Sequence, residues 1–313
     1  MGYVEQASES PKVYHRRMRG LSLFALFAGA IFIALSPIWV RVSEVGPTAS
    51  AFWRVSLAVP LLWILFFSLK TNETKGFRTQ CVPLVFAGIA FAGDLAFWHW
   101  SVNYTSVANS TLLANLASIF VTLAAWVLWK QRPSGMFLAG LAAALLGVAL
   151  LVQASLAGSA GTSPTALLGD ALGVVTAMFY AWYLLSVKVL RDRGASTLRL
   201  MAVTTTITAV ILLPVALASA LLSGQSLLPP TGIGWLKLLG LAWISHAAGQ
   251  GLIAYALAQL PAAFSAVGLL LQPAMAAVFA WLLLAEPLSA LQCAGGMVVL
   301  FGIYLAHRGR SSS

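Results

Sequence analysis

The sequence predicts an all-α polytopic membrane protein with ten transmembrane helices arranged as two inverted five-helix repeats. Three observations lead there. Sixty per cent of residues are hydrophobic and only 8% are charged, with a mean hydropathy of +0.90; a soluble chain of 313 residues needs far more polar surface. Apolar stretches of about 20 residues, each long enough to cross ~30 Å of hydrocarbon, recur ten times. Finally, the two halves repeat each other. At a constant offset of 155, residues 106–151 fall on residues 261–306, matching Ala108 with Ala263, Ser110 with Ser265, Ala125-Trp126 with Ala280-Trp281, Ser134 with Ser289, Ala139-Gly140 with Ala294-Gly295, and Gly147 with Gly302. Five crossings separate the copies, so the second lies upside down relative to the first, an arrangement found in transporters.

The segments are read in order as 21–41, 48–69, 80–102, 106–128, 134–154, 167–189, 198–222, 232–257, 261–284 and 287–306. Residues 1–19 form a polar tail. Its Arg16, Arg17 and Arg19 precede an apolar run that is too long for a cleaved leader and lacks a small-residue cleavage site, so it reads as an uncleaved first helix. The first repeat occupies 20–154 and the second 167–307, joined by the uncharged Gly/Ser/Thr-rich linker 155–166, with a short tail at 308–313. Short connectors such as Asn103-Tyr104-Thr105 and Ala258-Gln259-Leu260 make consecutive helices antiparallel neighbours. The first and sixth segments align at an offset of 147, with Ala30, Phe32, Ala34, Val40 and Val42 on Ala177, Phe179, Ala181, Val187 and Val189. The third and eighth share little.

A net charge of +10 raises the question of nucleic acid, but that reading needs the basic residues gathered on one solvated face. They are instead sorted by side. With the N-terminus inside, fifteen of the eighteen Lys and Arg residues fall on the cytoplasmic side and only Arg41, Arg54 and Lys237 fall at or near the other, as the positive-inside tendency requires. Both termini are therefore expected in the cytoplasm. The two cysteines, Cys81 and Cys293, are isolated and support neither a disulfide framework nor a metal site.

Asp94 is the acidic residue deep within an apolar segment, where insertion costs about 2.5–3.5 kcal/mol. His246 lies near the middle of the eighth segment, the third segment's counterpart, and is expected to face it. The pair would bind a zwitterion, relay a proton, or simply stabilise each other. Phe91 and Trp98 are seven apart and flank Asp94 on its helix face, and Tyr180 and Tyr183 add flat surfaces for an aromatic or cationic ligand. His99, nearer the outer end, reads as interfacial. In the fourth segment Thr111, Asn115, Ser118 and Thr122 share one face, which either lines a wet cavity or hydrogen-bonds to neighbouring helices. In the ninth, Ser265 and Gln272 share a face beside Pro273, whose missing N–H frees a carbonyl. Gln250 completes the candidate substrate-binding set. Trp39, Trp53 and Trp235 read as interface anchors; Arg54 either attracts an anionic group or snorkels to the outer headgroups.

Each copy ends in a helix pair joined by a Pro-containing turn, followed by a Gly-rich last helix. The best local motif is Trp281-Leu-Leu-Leu-Ala-Glu286-Pro287-Leu288-Ser289 with Gly295-Gly296 and Gly302; the first copy has Trp126-Val-Leu-Trp-Lys130-Gln131-Arg132-Pro133-Ser134. Together with Arg54 in Phe52-Trp53-Arg54-Val55-Ser56-Leu57-Ala58 and with Gly169-Asp170 at the sixth helix, this pattern resembles the EamA family of the drug/metabolite transporter superfamily over almost the whole chain. Gln131 departs from the family's usual Glu. Within the superfamily the chain looks most like bacterial inner-membrane exporters of amino acids, especially aromatic ones, and related metabolites. The resemblance implies a small-molecule substrate, a lipid bilayer as surroundings, no nucleic acid, no cofactor or metal, and a monomer enclosing its own pathway.

Two other readings are open at this level. Proton-coupled efflux of cationic drugs, as in the superfamily's small multidrug members, depends on a first-helix carboxylate; residues 21–40 contain none, so Asp94 would have to serve. An intramembrane enzyme needs a serine and histidine in a donor-rich setting or a metal signature; Ser245-His246 and Ser110 lack that context. No nucleotide-binding loop is present, so transport would draw on substrate or ion gradients or be facilitative.

Overall fold

A computed structural model describes residues 11–69, 80–104, 110, 113–156, 165–224, 226–285 and 289–309. The elements these residues form are all helices, with no strand among them. The chain runs through α1 (Pro11–Ala34), α2 (Ser36–Arg41), α3 (Pro47–Ser56), α4 (Ala58–Ser68), α5 (Cys81–Tyr104), α6 (Ala117–Trp129), α7 (Gly135–Leu156), α8 (Ala166–Asp192) and α9 (Thr197–Ser223). It continues through α10 (Gly232–Gly240), a π-helical stretch (Leu241–Gln250), α11 (Gly251–Ala256), α12 (Ala262–Gly268), α13 (Leu271–Leu284) and α14 (Ala290–Arg308). Seven spans among the described residues are long and apolar enough to cross a membrane unaided, and Ala117–Trp129 and Gly135–Leu151 are shorter apolar helices. The first helix starts at Pro11, inside the stretch expected to be a tail.

Several segments are bent by sequence-local causes. Pro37 sits in the first turn of α2 and Leu35 separates it from α1; proline has no N–H to continue the α-helical ladder. Leu57 divides α3 from α4, three residues before Pro60.

The repeat is visible in the backbone. Lys130 and Ala285, 155 positions apart, end α6 and α13 in the left-handed region at φ 56° and 54°, and among the described residues no other non-glycine has positive φ. Ser134 and Ser289 occupy equivalent helix starts: Ser134 Oγ accepts from Phe137 N at 3.1 Å, and Ser289 forms a capping box with Gln292, at 3.1 and 2.8 Å, satisfying otherwise orphaned helix-end donors.

Packing follows a two-fold pattern. Helices α3 and α4 pack on their counterpart α9, α6 packs on α12, and α7 on α14. The α5–α8 contact is matched by the contact of the π stretch and α11 with α1. A Cβ on Gly147 would lie 2.7 Å from Gly295 O, and one on Gly302 would lie 2.7 Å from Gly140 O. Early positions of α7 therefore meet late positions of α14. Ser134 Oγ donates to Gly309 O, which joins the start of α7 to the end of α14. The equivalent helices run antiparallel, so the repeats are inverted and the turn before α7 and the turn before α14 lie at opposite ends. The Glu286-Pro287 pair of the second turn lies outside the described residues.

At one end the connectors between α2 and α3 and between α9 and α10 are tied together. Thr231 Oγ1 donates to Glu44 at 2.8 and 2.7 Å, Lys237 Nζ donates to Glu44 at 3.3 Å, and Trp53 Nε1 donates to Leu227 O at 2.7 Å. Trp53 and Trp235 meet edge to face at 4.9 Å. These tryptophans thus anchor one connector to another.

Candidate functional site

The bends and the π stretch converge. On α5, Phe91, Asp94, Leu95 and Trp98 follow the i, i+3, i+4, i+7 spacing that gathers side chains on one helical face, and all four line a cavity of about 130 Å³. The bend between α1 and α2 contributes Ser36 and Pro37, α3 contributes Arg54, and α8 contributes Tyr180. Gln250, the last residue of the π stretch, closes another side.

The fourth and ninth segments are each interrupted where they reach this cavity. The turn at Asn115–Leu116 precedes α6 and the turn at Leu269–Leu270 precedes α13, within one residue of exact repeat equivalence. Asn115 lines the cavity from the first break, and Gln272 and Pro273 from the second. Paired interruptions at corresponding positions of inverted repeats mark the places where backbone and side-chain polar groups turn toward a solute.

Seven of the sequence-derived candidates, Phe91, Asp94, Trp98, Asn115, Tyr180, Gln250 and Gln272, form the cavity wall. Ser118 is buried and donates to Asn115 O at 2.9 Å, and Thr122 donates to Ser118 O at 2.7 Å. Their hydroxyls fold back onto their own helix. Tyr183 and His246 form a layer behind Phe91, whose ring lies 4.7 Å from Tyr183 and 5.4 Å from His246 between centroids. Thr111 lies outside the described residues.

The expected pairing of Asp94 with His246 is not formed. His246 Nε2 shares a hydrogen bond with Thr205 Oγ1 at 2.9 Å, and its stacking partner on α5 is Phe91, one turn before Asp94. The charge facing Asp94 is instead Arg54. Arg54 is only 7% exposed and its Nε has no hydrogen-bond partner among the described residues, so it does not snorkel to the surface. His99 is also buried rather than interfacial, donating from Nδ1 to Leu95 O at 2.6 Å.

Gln250 approaches the hydroxyls of Tyr180 and Tyr183, and Gln272 approaches that of Tyr180, yet the Nε2 atoms of both glutamines complete no hydrogen bond among the described residues. The cavity is therefore lined by residues that carry amide, guanidinium and carboxylate groups and by aromatic side chains. Among the described residues no group of His, Cys, Asp or Glu side chains converges in a way that could hold a metal ion. Sequence reading passed over Ser36, Pro37 and Thr205, and left Arg54 between attracting an anionic group and snorkelling to the outer headgroups.

The family model described as the EamA-like transporter family matches residues 20–153 and again 167–308. An uncharacterized transporter of Archaeoglobus fulgidus is 28% identical over 292 residues, covering 91% of this chain and 95% of its own. A probable amino-acid metabolite efflux pump of Salmonella typhimurium is 28% identical over 220 residues, covering 68% of this chain and 72% of its own. A solved crystal structure superimposes with a TM-score of 0.73 over 91% of this chain and 98% of that one; its 15% identity speaks for the fold alone.

Proposed function

The chain belongs to the EamA family of the drug/metabolite transporter superfamily, and on that premise we propose that it exports small amino-acid-type metabolites by alternating access of its two repeats. The observation that carries this reading is the meeting of two equivalent helix interruptions at one polar cavity. Rocking one repeat against the other exposes such a site to each side in turn.

The substrate class draws support from the efflux pump's printed name and from the cavity's chemistry. About 130 Å³ suits a compact solute better than drug-sized molecules, whose pockets run to ~300–1,000 Å³. A buried guanidinium in the wall repels a cation, which disfavours cationic-drug efflux with Asp94 as the coupling carboxylate. The intramembrane-enzyme reading paired His246 with Ser245 or Ser110, whereas the hydrogen-bond partner of His246 Nε2 is Thr205.

The positive-inside distribution supports a bacterial inner-membrane location with both termini cytoplasmic. In that orientation Ser36, Pro37, Arg54 and Trp98 belong to the outer halves of their segments. On the inner side α1 packs tightly at Gly29, where a Cβ would lie 2.7 Å from Gly249 O.

The test is uptake of labelled neutral and aromatic amino acids into vesicles reconstituted with the purified chain, with and without an imposed pH gradient. Saturable uptake above that of empty vesicles is expected; its absence across the panel contradicts the proposal.

A further inference from the structure

Lys188–Asp192 and Lys237–Glu44 are direct ion pairs. Arg54 and Asp94 share a cavity wall and feel each other's charge, but among the described residues no ion pair joins them. This is an unusual way to bury two opposite charges. Withdrawing each from water is costly, and direct contact is the ordinary compensation. Arginine cannot escape by losing its proton. Arg54 is thus a lining residue without an ion-pair partner among the described residues, its buried Nε unpartnered. Two further donors, Gln250 Nε2 and Gln272 Nε2, stand unpartnered in the same wall. Trp98, one turn beyond Asp94 on α5, lines the same cavity with an aromatic group.

We infer that Arg54 and Asp94 are the two poles of a zwitterion site, Arg54 taking the carboxylate of the ligand and Asp94 its ammonium group. The inference rests on the transport reading above and assigns its specificity to two residues. A guanidinium holds a carboxylate by two parallel N–H···O bonds. The amide donors of Gln250 and Gln272 complete the carboxylate's acceptor sites. The aromatic neighbour Trp98 favours a cation next to Asp94. A ligand that carries both groups closes the gap, satisfies both buried charges and leaves the net charge of the cavity unchanged. A ligand that carries one group leaves the opposite pole buried and unmatched.

Binding to the detergent-purified full chain separates this inference from the transport reading. The probes are L-leucine and L-phenylalanine, their amides, which lack the carboxylate, and isocaproate and phenylpropanoate, which lack the ammonium; the readout is the ligand-dependent rise in the unfolding midpoint. The amino acids are expected to bind, and removal of either group is expected to weaken binding at least about tenfold, one decade in Kd. Asp94→Asn should bring the deaminated acids level with the parent amino acids, and Arg54→Gln should do the same for the amides. The inference is overturned if neither amino acid binds, or if amide or acid binds the unaltered chain within about threefold of its parent, a difference under one decade. Because the ligand is altered rather than the protein, that result stands even where a variant fails to fold. Two-group binding without vesicle uptake overturns the transport reading and leaves the two poles in place.

Discussion

Gly140 of α7 and Gly302 of α14 each occupy the space in which the other's neighbour would need a side chain: a Cβ on Gly140 would lie 2.6 Å from Gly302 O, and one on Gly302 would lie 2.7 Å from Gly140 O. Their repeat equivalents do the same, with Gly147 2.7 Å from Gly295 O and Gly295 2.9 Å from Gly147 O by the same measure. Ala144 and Val299, equivalent at the offset of 155, lie between the two glycine pairs. The last helices of the two copies thus approach closely at the pseudo-two-fold axis. Small residues permit such approach in a bilayer, where packing rather than the hydrophobic effect holds helices together.

Gly302→Leu is therefore expected to force α7 and α14 apart and to destabilise the fold by about 1–3 kcal/mol or more, the usual cost of overpacking. A Cβ on Gly296 would meet nothing within 4 Å, so Gly296→Ala should be neutral. Thermal unfolding in detergent distinguishes the two; equal midpoints would contradict the close axial contact.

Thr205→Val removes the hydroxyl that meets His246 Nε2 and leaves a buried imidazole nitrogen unmatched, at a cost of about 1–3 kcal/mol. Because His246 supports one face of Phe91, the same variant should also weaken ligand binding in the cavity. A thermal midpoint and binding curve both unchanged from the parent would remove His246 from the supporting layer.

Pro273 lies in the first turn of α13, where proline is tolerated. Pro273→Ala should leave thermal stability nearly unchanged while allowing the ninth segment to straighten across its break. Vesicle transport is expected to fall by more than half, since the break positions Gln272; full turnover in this variant would show that the interruption is incidental.

Glu44 is held below the ordinary glutamate value of 4.5, chiefly by the Thr231 hydroxyl, which outweighs the opposing effect of desolvation, with Lys237 adding to the lowering. A depressed carboxylate stabilises the connector latch fully above that ordinary value and ceases to do so as pH falls through the depressed one. Hydrogen exchange in residues 226–235 should accelerate as pH falls below the ordinary glutamate value of 4.5, beyond the intrinsic chemical trend. Glu44→Gln should abolish that extra acid response; an identical response in the variant would exclude Glu44 as its source.

Much of this architecture is legible in the residues. The offset of 155 identifies the helix pairs that later meet at the axis, and the seven-residue spacing of Phe91 and Trp98 around Asp94 gives the cavity-facing side of α5. The partner of Asp94 is not legible. Pseudo-symmetry between the third and eighth segments suggested His246, but the π stretch at 241–250 changes the angular step between residues. His246 meets Phe91 one turn away. Arg54 and Asp94 face one cavity from helices forty residues apart in sequence, and helical periodicity within either segment carries no information about their crossing. The hydroxyls of Ser118 and Thr122 illustrate the other ambiguity: a polar helical face reads the same whether it lines a cavity or bonds its own carbonyls, as these do.

The central claim is that one cavity is reached from both sides of the bilayer in turn. The most direct measurement places a single cysteine at Asn115, in the wall, with Cys81 and Cys293 replaced by serine, and applies a membrane-impermeant thiol reagent to oriented vesicles from each side separately. Alternating access predicts modification from either side, with protection by a bound amino acid in both cases. Modification from one side only, with and without amino acid, would contradict it.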